Sequence, residues 1–432
     1  MNLISKLLPY DECSLDRFSS VRTMGCGLLL DSGSGYRDQV DVITASPVDI
    51  VSVFPEEDLS SAIKHIRGQL ERHACNELEH PIAPGWFGVW SYNLGQALES
   101  VTMSPASVPW LWMGFYPALI ITDHAESTTH LLYLSEYEAQ AKRLENAYHE
   151  TPRTSAEFKL NAPFSGNLPG AEYQRQFKRV EDYIHQGDCY QINLSREFSA
   201  PYTGSPWQAY RKLRSLQSAP MGGYLEVNDW ALLSLSPERF LRSDDRLVET
   251  KPIKGTRPRS DNPREDLAHR EDLMSSAKDR AENLMIVDLL RNDLGRSCKT
   301  GSVKVDKLFD IESFSNVHHL VSTVSGQLDA GVDALDLLLR AFPGGSVTGA
   351  PKRRAMEIIE ELEPHSRDFY CGSMLYLDIN GRMDSNILIR SLLASNGTIR
   401  CWGGGGIVAD STCESEYQEI NDKIGKLLKS LT

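Results

Sequence analysis

Three residues near the end of the chain have the types and spacing to do chemistry. Glu416, Glu419 and Lys423 fall at i, i+3 and i+7, on one face of a helix. That face is separate from the apolar stripe of Tyr417, Ile420, Ile424 and Leu428. Charges so arranged usually form a solvated face. A second acidic segment runs from Glu282 through Asp288 to Asp293. Asp288 and Arg291 are spaced to pair at i, i+3. Glu282 opens an apolar run, an awkward place for an idle charge. One carboxylate from each helix would suit Mg²⁺, which takes one or two protein carboxylates and completes its shell with water and substrate oxygens.

Two glycine-rich stretches imitate nucleotide loops. Residues 404–409 spell G-x-G-x-x-A, but a dinucleotide site needs a following helix, a second parallel strand and an acid about 20 residues on. Only 23 residues follow, Thr432 included, so the match is rejected. The closely approaching backbone there still offers N–H groups to a carboxylate. Gly344 to Lys352 lacks the G-K-[ST] ending of a P-loop. It reads as a tight turn before a helix, where amides attract anions.

These residues must be positioned by a large frame. The chain has 432 residues, enough for two or three domains and a substantial core. Its 45 basic and 59 acidic residues give a net charge of −14, which argues against a general nucleic-acid binder. The longest apolar stretch, residues 110–121, is shorter than the ~20 residues of a membrane span, and the N-terminus has no cleavable signal pattern. A cytoplasmic protein is expected, with its eight cysteines as free thiols. Pro, Ser, Thr, Asn and Gly at 151–170 mark a linker between an N-terminal region, 1–150, and a region at 171–432.

Helical spacing appears at Ile63, Ile66 and Leu70, and at Tyr173, Phe177, Val180 and Ile184, with Gly187 as a stop. Further helices are predicted near 278–292, 332–341 and 351–362, and from about Glu414. Strands are predicted at Gly27–Leu30 and Val40–Ile43, and near 190–198, 221–227, 230–235 and 246–250. Asn380-Gly381 and Asn396-Gly397, each between apolar runs, predict two hairpins and hence antiparallel pairing.

Seven segments occur in order: Ser236–Phe240, Lys251–Arg259, Glu282–Leu294, His319–Ser322, Phe342–Lys352, Ile387–Arg390 and Gly404–Ser411. Together they resemble the chorismate-utilising enzymes over roughly 170–430. Residues 1–150 look like the family's more variable N-terminal region. The resemblance implies an α+β fold like that of anthranilate synthase component I, with two antiparallel β-sheets packed together and helices outside. Lys254 places the chain nearest the branch that aminates chorismate at C4, giving 4-amino-4-deoxychorismate for 4-aminobenzoate and folate synthesis. Anthranilate synthases carry a small residue there. Isochorismate-type enzymes use a lysine base aligned with Gln191, so water attack is not expected. The alternatives are an anthranilate synthase and a non-catalytic subunit that binds chorismate or tryptophan.

The implied roles follow residue by residue. Glu238 is the general acid for the C4 hydroxyl, and burial should raise its pKa. Lys254 is the nucleophile, and must spend part of its time as the neutral amine. Lys251, Arg257 and Arg259 would favour that form if they converged on it. Mg²⁺ on the ring carboxylate is assigned to Glu282 and Glu419, with Glu416 nearby. The other carboxylate is matched to Tyr370, Arg390 and the backbone of Gly404, Gly405 and Gly406. Arg390 lies in an apolar run, where an unpaired charge is costly, and its planar fork suits a carboxylate. Thr256, His319, Thr348 and Lys423 are matched to the substrate pocket. Ser32, Arg37, Asp38, Gln39, Val40, Pro220, Met221 and Gly222 match a tryptophan site of some members, although Met221 and Gly222 depart from its usual aromatic-plus-Ser pair. No cysteine here sits in a glycine-rich elbow with a separate His-x-Glu, so ammonia is expected from a glutamine amidotransferase subunit.

Overall fold

The computed structural model describes residues 2–33, 40–75, 79–103, 105–152, 155–314 and 317–432. Among these residues the frame is two antiparallel sheets of 13 and 10 strands. The larger runs Leu3–Leu8, Thr128–Leu134, Ala118–Asp123, Val40–Thr44, Gly27–Asp31, Met221–Glu226, Trp230–Ser236, Ser391–Ser395, Thr398–Ile407, Gln191–Thr203 and Ser165–Gly166. The smaller begins Ile253–Pro258, Val317–Gln327, Leu247–Thr250, Arg239–Asp244, and continues through Met383–Asn386, Ser373–Asp378, Gly85–Trp90 and Leu111–Tyr116 to Asp49–Val53. Strands from the first 150 residues complete both sheets: Leu29 pairs with Tyr224, and Val89 with Met374.

Strand alternation divides the core in two. Leu28, Leu225, Leu232 and Leu393 of the larger sheet face the smaller, and pack with Phe87, Val89 and Leu375 in one cluster. Their neighbours Leu29, Tyr224, Leu233 and Leu392 face the other way. That outer face is covered by helices at Ser14–Val21, Glu138–His149, Gly170–Gln186, Pro206–Leu216, Lys352–Leu362 and Cys413–Leu431. This is the α+β arrangement that the resemblance implied.

Most predicted elements form near their expected bounds. The helix Gly170–Gln186 stops at Gly187, whose φ of 81° is the left-handed cap that glycine accepts. Both Asn-Gly turns join paired strands. The last helix buries Ile420, Ile424, Leu427 and Leu431, so its stripe sits slightly round from the predicted one. No helix among the described residues is long and apolar enough to cross a membrane. All eight cysteines are free.

Candidate active site

A cavity of about 520 Å³ opens where one end of the smaller sheet meets the glycine-rich strand and the last helix. Strand Ile253–Pro258 supplies Lys254. Its register on Val317–Gln327 shifts between Ile253 and Thr256, and Gly255 in the shift has φ 78°. Such a bulge bends the strand and re-aims its side chains, and Lys254 lines the cavity. A Cβ on Gly255 would lie 2.8 Å from Leu273 and 2.9 Å from Asp279, so a larger residue does not fit.

Glu238 follows Pro237, at the break between strands Trp230–Ser236 and Arg239–Asp244. It is only 6 % exposed. Burial raises its carboxyl to about 7, against the opposing pull of Lys254, Ser346, the Ile253 N–H and Lys423. Thr256 and His319 are paired across strands, with Thr256 Oγ1 2.9 Å from His319 Nδ1. Burial, then the nearby Arg390 charge, hold His319 down at about 3. It is therefore a neutral imidazole at physiological pH, able to donate one hydrogen bond and accept another.

On the opposite wall, strand Thr398–Ile407 presents Gly403, Gly404 and Gly406 to the cavity. A Cβ on Gly404 would sit 2.8 Å from Tyr370 Oη, and one on Gly403 3.0 Å from Ile424. The bare strand thus lets Tyr370 and the last helix approach from its two faces. Gly405 lies behind the lining, where a Cβ would meet Glu416 Oε2 at 2.7 Å. The string of glycines lies within a strand, not in a turn before a helix, which is why the dinucleotide pattern has no dinucleotide geometry.

The two acidic helices do meet here. Glu282 comes from Ala277–Gly295, and Glu416, Glu419 and Lys423 come from Cys413–Leu431; all four line the cavity. Lys423 lies 2.7 Å from Glu419 and donates to the Gly404 carbonyl at 3.2 Å. Glu416 is 3 % exposed and accepts a hydrogen bond from Ser411 at 2.7 Å. Burial pushes Glu416 up; at Glu419 burial is the largest single influence, but the Lys423 charge and hydrogen bond together with the Lys278 and Lys254 charges hold the carboxyl down. These are hard oxygen donors on one wall, although among the described residues no group of three or more His, Cys, Asp or Glu is placed to hold a metal ion by itself. Carboxylates are the donors that Mg²⁺ takes one or two at a time, with water and substrate oxygens completing its shell.

The structure rearranges two expectations. Thr348 does not reach the cavity: it is fully buried, and its hydroxyl donates to the Gly344 carbonyl at 3.1 Å. Ser346, two residues earlier, lines the cavity and donates to Glu238 Oε1 at 3.1 Å. Lys251 and Arg259 do not line the cavity with Lys254; Arg257 does, but all three are engaged by acids. They pair with Glu249 and Glu312, with Asp272 and Asp279, and with Asp266 respectively. Lys352 is buried on Asp293 at 3.0 Å and on the Ala341 carbonyl at 2.6 Å, so it holds its own loop, in keeping with the rejected P-loop match.

Sequence reasoning also missed Lys278, Asn193 and Trp402, which line the cavity. Lys278 lies 3.8 Å from Glu282, its i, i+4 partner, and that spacing was legible. Arg390 lines the cavity with φ 51°. Gln191 lies against Gly406 rather than on the lining. Ser32, Val40, Pro220, Met221 and Gly222 line a second cavity of about 160 Å³ between the sheets. Arg37, Asp38 and Gln39 lie outside the described residues.

This fold and site define a chorismate-binding enzyme: the model of that family matches residues 28–429, and the chain belongs to it. The chain is 41% identical over 435 residues to aminodeoxychorismate synthase component 1 of Escherichia coli (strain K12), covering 96% of this chain and 95% of that one. It is 39% identical over 388 residues to anthranilate synthase component 1 of Thermus thermophilus, covering 85% and 82%. Among solved structures, anthranilate synthase component I from Streptococcus pneumoniae superposes with a TM-score of 0.78 at 28% identity, covering 91% of this chain and 93% of that one.

Proposed function

We propose that this chain aminates chorismate at C4, yielding 4-amino-4-deoxychorismate for 4-aminobenzoate and folate synthesis. The observation that carries the reading is the pairing of a buried acid with a bulge-aimed lysine. Glu238, at the break between two strands, and Lys254, on a third, line one cavity, and Glu238 has its carboxyl at about 7. Hydroxide is a poor leaving group, so an acid that is protonated near neutral pH is required. Lys254 forms a bond to C2 with its amine lone pair. The ring double bonds shift, and the C4–O bond breaks with its electrons. The Glu238 proton goes to that oxygen, and water leaves. Ammonia then bonds to C4, the double bonds shift back, and the C2–N bond breaks. Lys254 leaves as the amine, and the enolpyruvyl group is retained.

Two carboxylates orient the ring. Glu282 and Glu419, with Glu416 beside them, would hold Mg²⁺, which when bound neutralises the ring carboxylate. Arg390 and Tyr370 with the glycine strand receive the other carboxylate, because the guanidinium offers a bidentate fork. Ammonia is mostly ammonium at neutral pH, so a glutamine amidotransferase subunit is the partner that would deliver it. The partner and a cytoplasmic location are part of this reading.

The test is product analysis by chromatography. The purified chain is incubated with chorismate, Mg²⁺ and ammonium salt at mildly alkaline pH. Aminodeoxychorismate without anthranilate is the expected result. Anthranilate would overturn the C4 assignment and make Lys254 a misleading residue. If chorismate is consumed only after a glutaminase subunit is added, the chain is partner-activated. No consumption even then would leave a binding role.

A further inference from the structure

The loop between helices Ala334–Ala341 and Lys352–Leu362 is held far more tightly than a connection of ten residues requires. Thr348 Oγ1 donates to the Gly344 carbonyl at 3.1 Å. The Val347 carbonyl accepts from Asn193 Nδ2 at 3.0 Å and from Arg367 Nη1 at 3.0 Å. Lys352 anchors the far end on Asp293 and Ala341. Two glycines allow the close seating: a Cβ on Gly344 would lie 2.9 Å from Ile387, and one on Gly345 2.2 Å from Leu289. These bonds fix the backbone of the loop along the cavity wall. Ser346 lines the cavity beside Val347, and its hydroxyl reaches the acid, with Oγ 3.1 Å from Glu238 Oε1.

We propose that Ser346 is a positioning residue for the reaction: through its bond to Oε1 it holds the Glu238 carboxyl toward the substrate and stabilises the carboxylate left after proton transfer. This rests on the reading that Glu238 protonates the leaving hydroxyl. As that proton departs, negative charge develops on a buried group. A preorganised donor aimed at such a charge lowers the barrier without reorganising. Charged and titratable groups face Glu238 from other sides: Lys254 on its strand, Lys423 on the last helix, and the Cys371 thiol. The Ile253 N–H also donates to it. The two lysines are committed elsewhere during turnover, Lys254 to C2 and Lys423 to Glu419 and Gly404. Ser346 is the side-chain donor whose role is to hold the acid.

The experiment compares Ser346→Ala, Ser346→Cys and Ser346→Thr with wild type, at saturating chorismate and equal total ammonium from pH 6 to 9. The ratio of variant to wild-type rate cancels the titration of ammonia. Glu238→Gln is the control and should lose at least about 100-fold. Ser346→Ala should be about tenfold slower at pH 6, and its alkaline limb should move up by about one pH unit. The ratio then climbs about eightfold from pH 6 to pH 9 as wild-type Glu238 ionises first. Ser346→Cys, a weaker donor of similar shape, should fall between, and Ser346→Thr should keep the wild-type limb. An active Glu238→Gln enzyme would overturn the acid assignment itself. An inactive Glu238→Gln enzyme with a ratio flat in pH for both Ala and Cys would overturn the role of Ser346, because a purely structural defect scales the rate equally at every pH.

Discussion

Replacing Arg367 by Met tests how the buried polar frame supports the site. Arg367 and Glu363 have side chains 1% and 2% exposed, joined Nη2 to Oε1 at 2.7 Å and Nε to Oε2 at 2.8 Å. The guanidinium also donates to the carbonyls of Asn193 at 2.5 Å and Val347 at 3.0 Å, both on the cavity wall. It lies over the Tyr92 ring at 4.7 Å and the Tyr370 ring at 5.7 Å. Methionine would strand a buried carboxylate and two carbonyls. Breaking such a pair from one side costs about 3–5 kcal/mol. With an unfolding entropy of roughly 2.1 cal/mol/K for each of 432 residues, or about 0.9 kcal/mol/K, that is a Tm lower by about 3–6 °C. The sign of the pH dependence is fixed too. In the wild type, burial alone would raise Glu363, but Arg367, His365 and the Ser195 bond outweigh it and hold the carboxyl down. Its stabilisation is therefore present above the unfolded carboxylate pKa and fades as pH falls through the folded one. In the variant burial acts unopposed by Arg367, so Glu363 takes up a proton readily and the penalty shrinks on acidification. Melting curves followed by circular dichroism at pH 8 and pH 5.5 measure the gap. A gap below 1 °C at pH 8, or one that does not narrow at pH 5.5, would refute this account. The double variant Glu363→Gln/Arg367→Met should recover much of the lost Tm, yet keep a raised KM for chorismate, because Asn193 and Val347 have lost their anchor.

Two further substitutions separate chemistry from scaffolding. Lys254→Ala should abolish the covalent substrate adduct seen by intact-protein mass spectrometry after acid quench, while direct attack by ammonia leaves residual turnover; an adduct that persists would remove Lys254 from its role. Gly405→Ala places a methyl 2.7 Å from Glu416 Oε2 and against nothing else tighter than 3.9 Å. It should raise the Mg²⁺ concentration for half-maximal activity about five- to tenfold and leave the melting temperature within about 2 °C; an unchanged Mg²⁺ dependence would exclude Glu416 from the ion's surroundings.

What was legible in the sequence follows from which forces are local. Gly187 and the two Asn-Gly turns declare themselves because a left-handed backbone needs particular residues. The helix Pro263–Ser275 declares nothing: only Leu273 is buried, and charges surround it. Its hold on the protein is tertiary, through Arg257 to Asp272 and Arg259 to Asp266. The same limit applies at the site. Spacing put Glu416, Glu419 and Lys423 on one helical face, but not against Glu282, because their meeting depends on how closely the helix lies on Gly403 and Gly405. The motif around Gly344–Lys352 marked a functional loop without saying which hydroxyl faces in. Thr348 and Ser346 are both plausible donors in one dimension. Only the turn at Gly345–Val347 sends one of them into the core and the other to the acid. The bulge at Lys254 makes the same point: a lysine in a strand has two faces to choose from, and an extra residue at Gly255, invisible to period-two reading, makes the choice. The chemistry of this family is thus written in residue types, while its aim is set by irregularities that regular patterns do not encode.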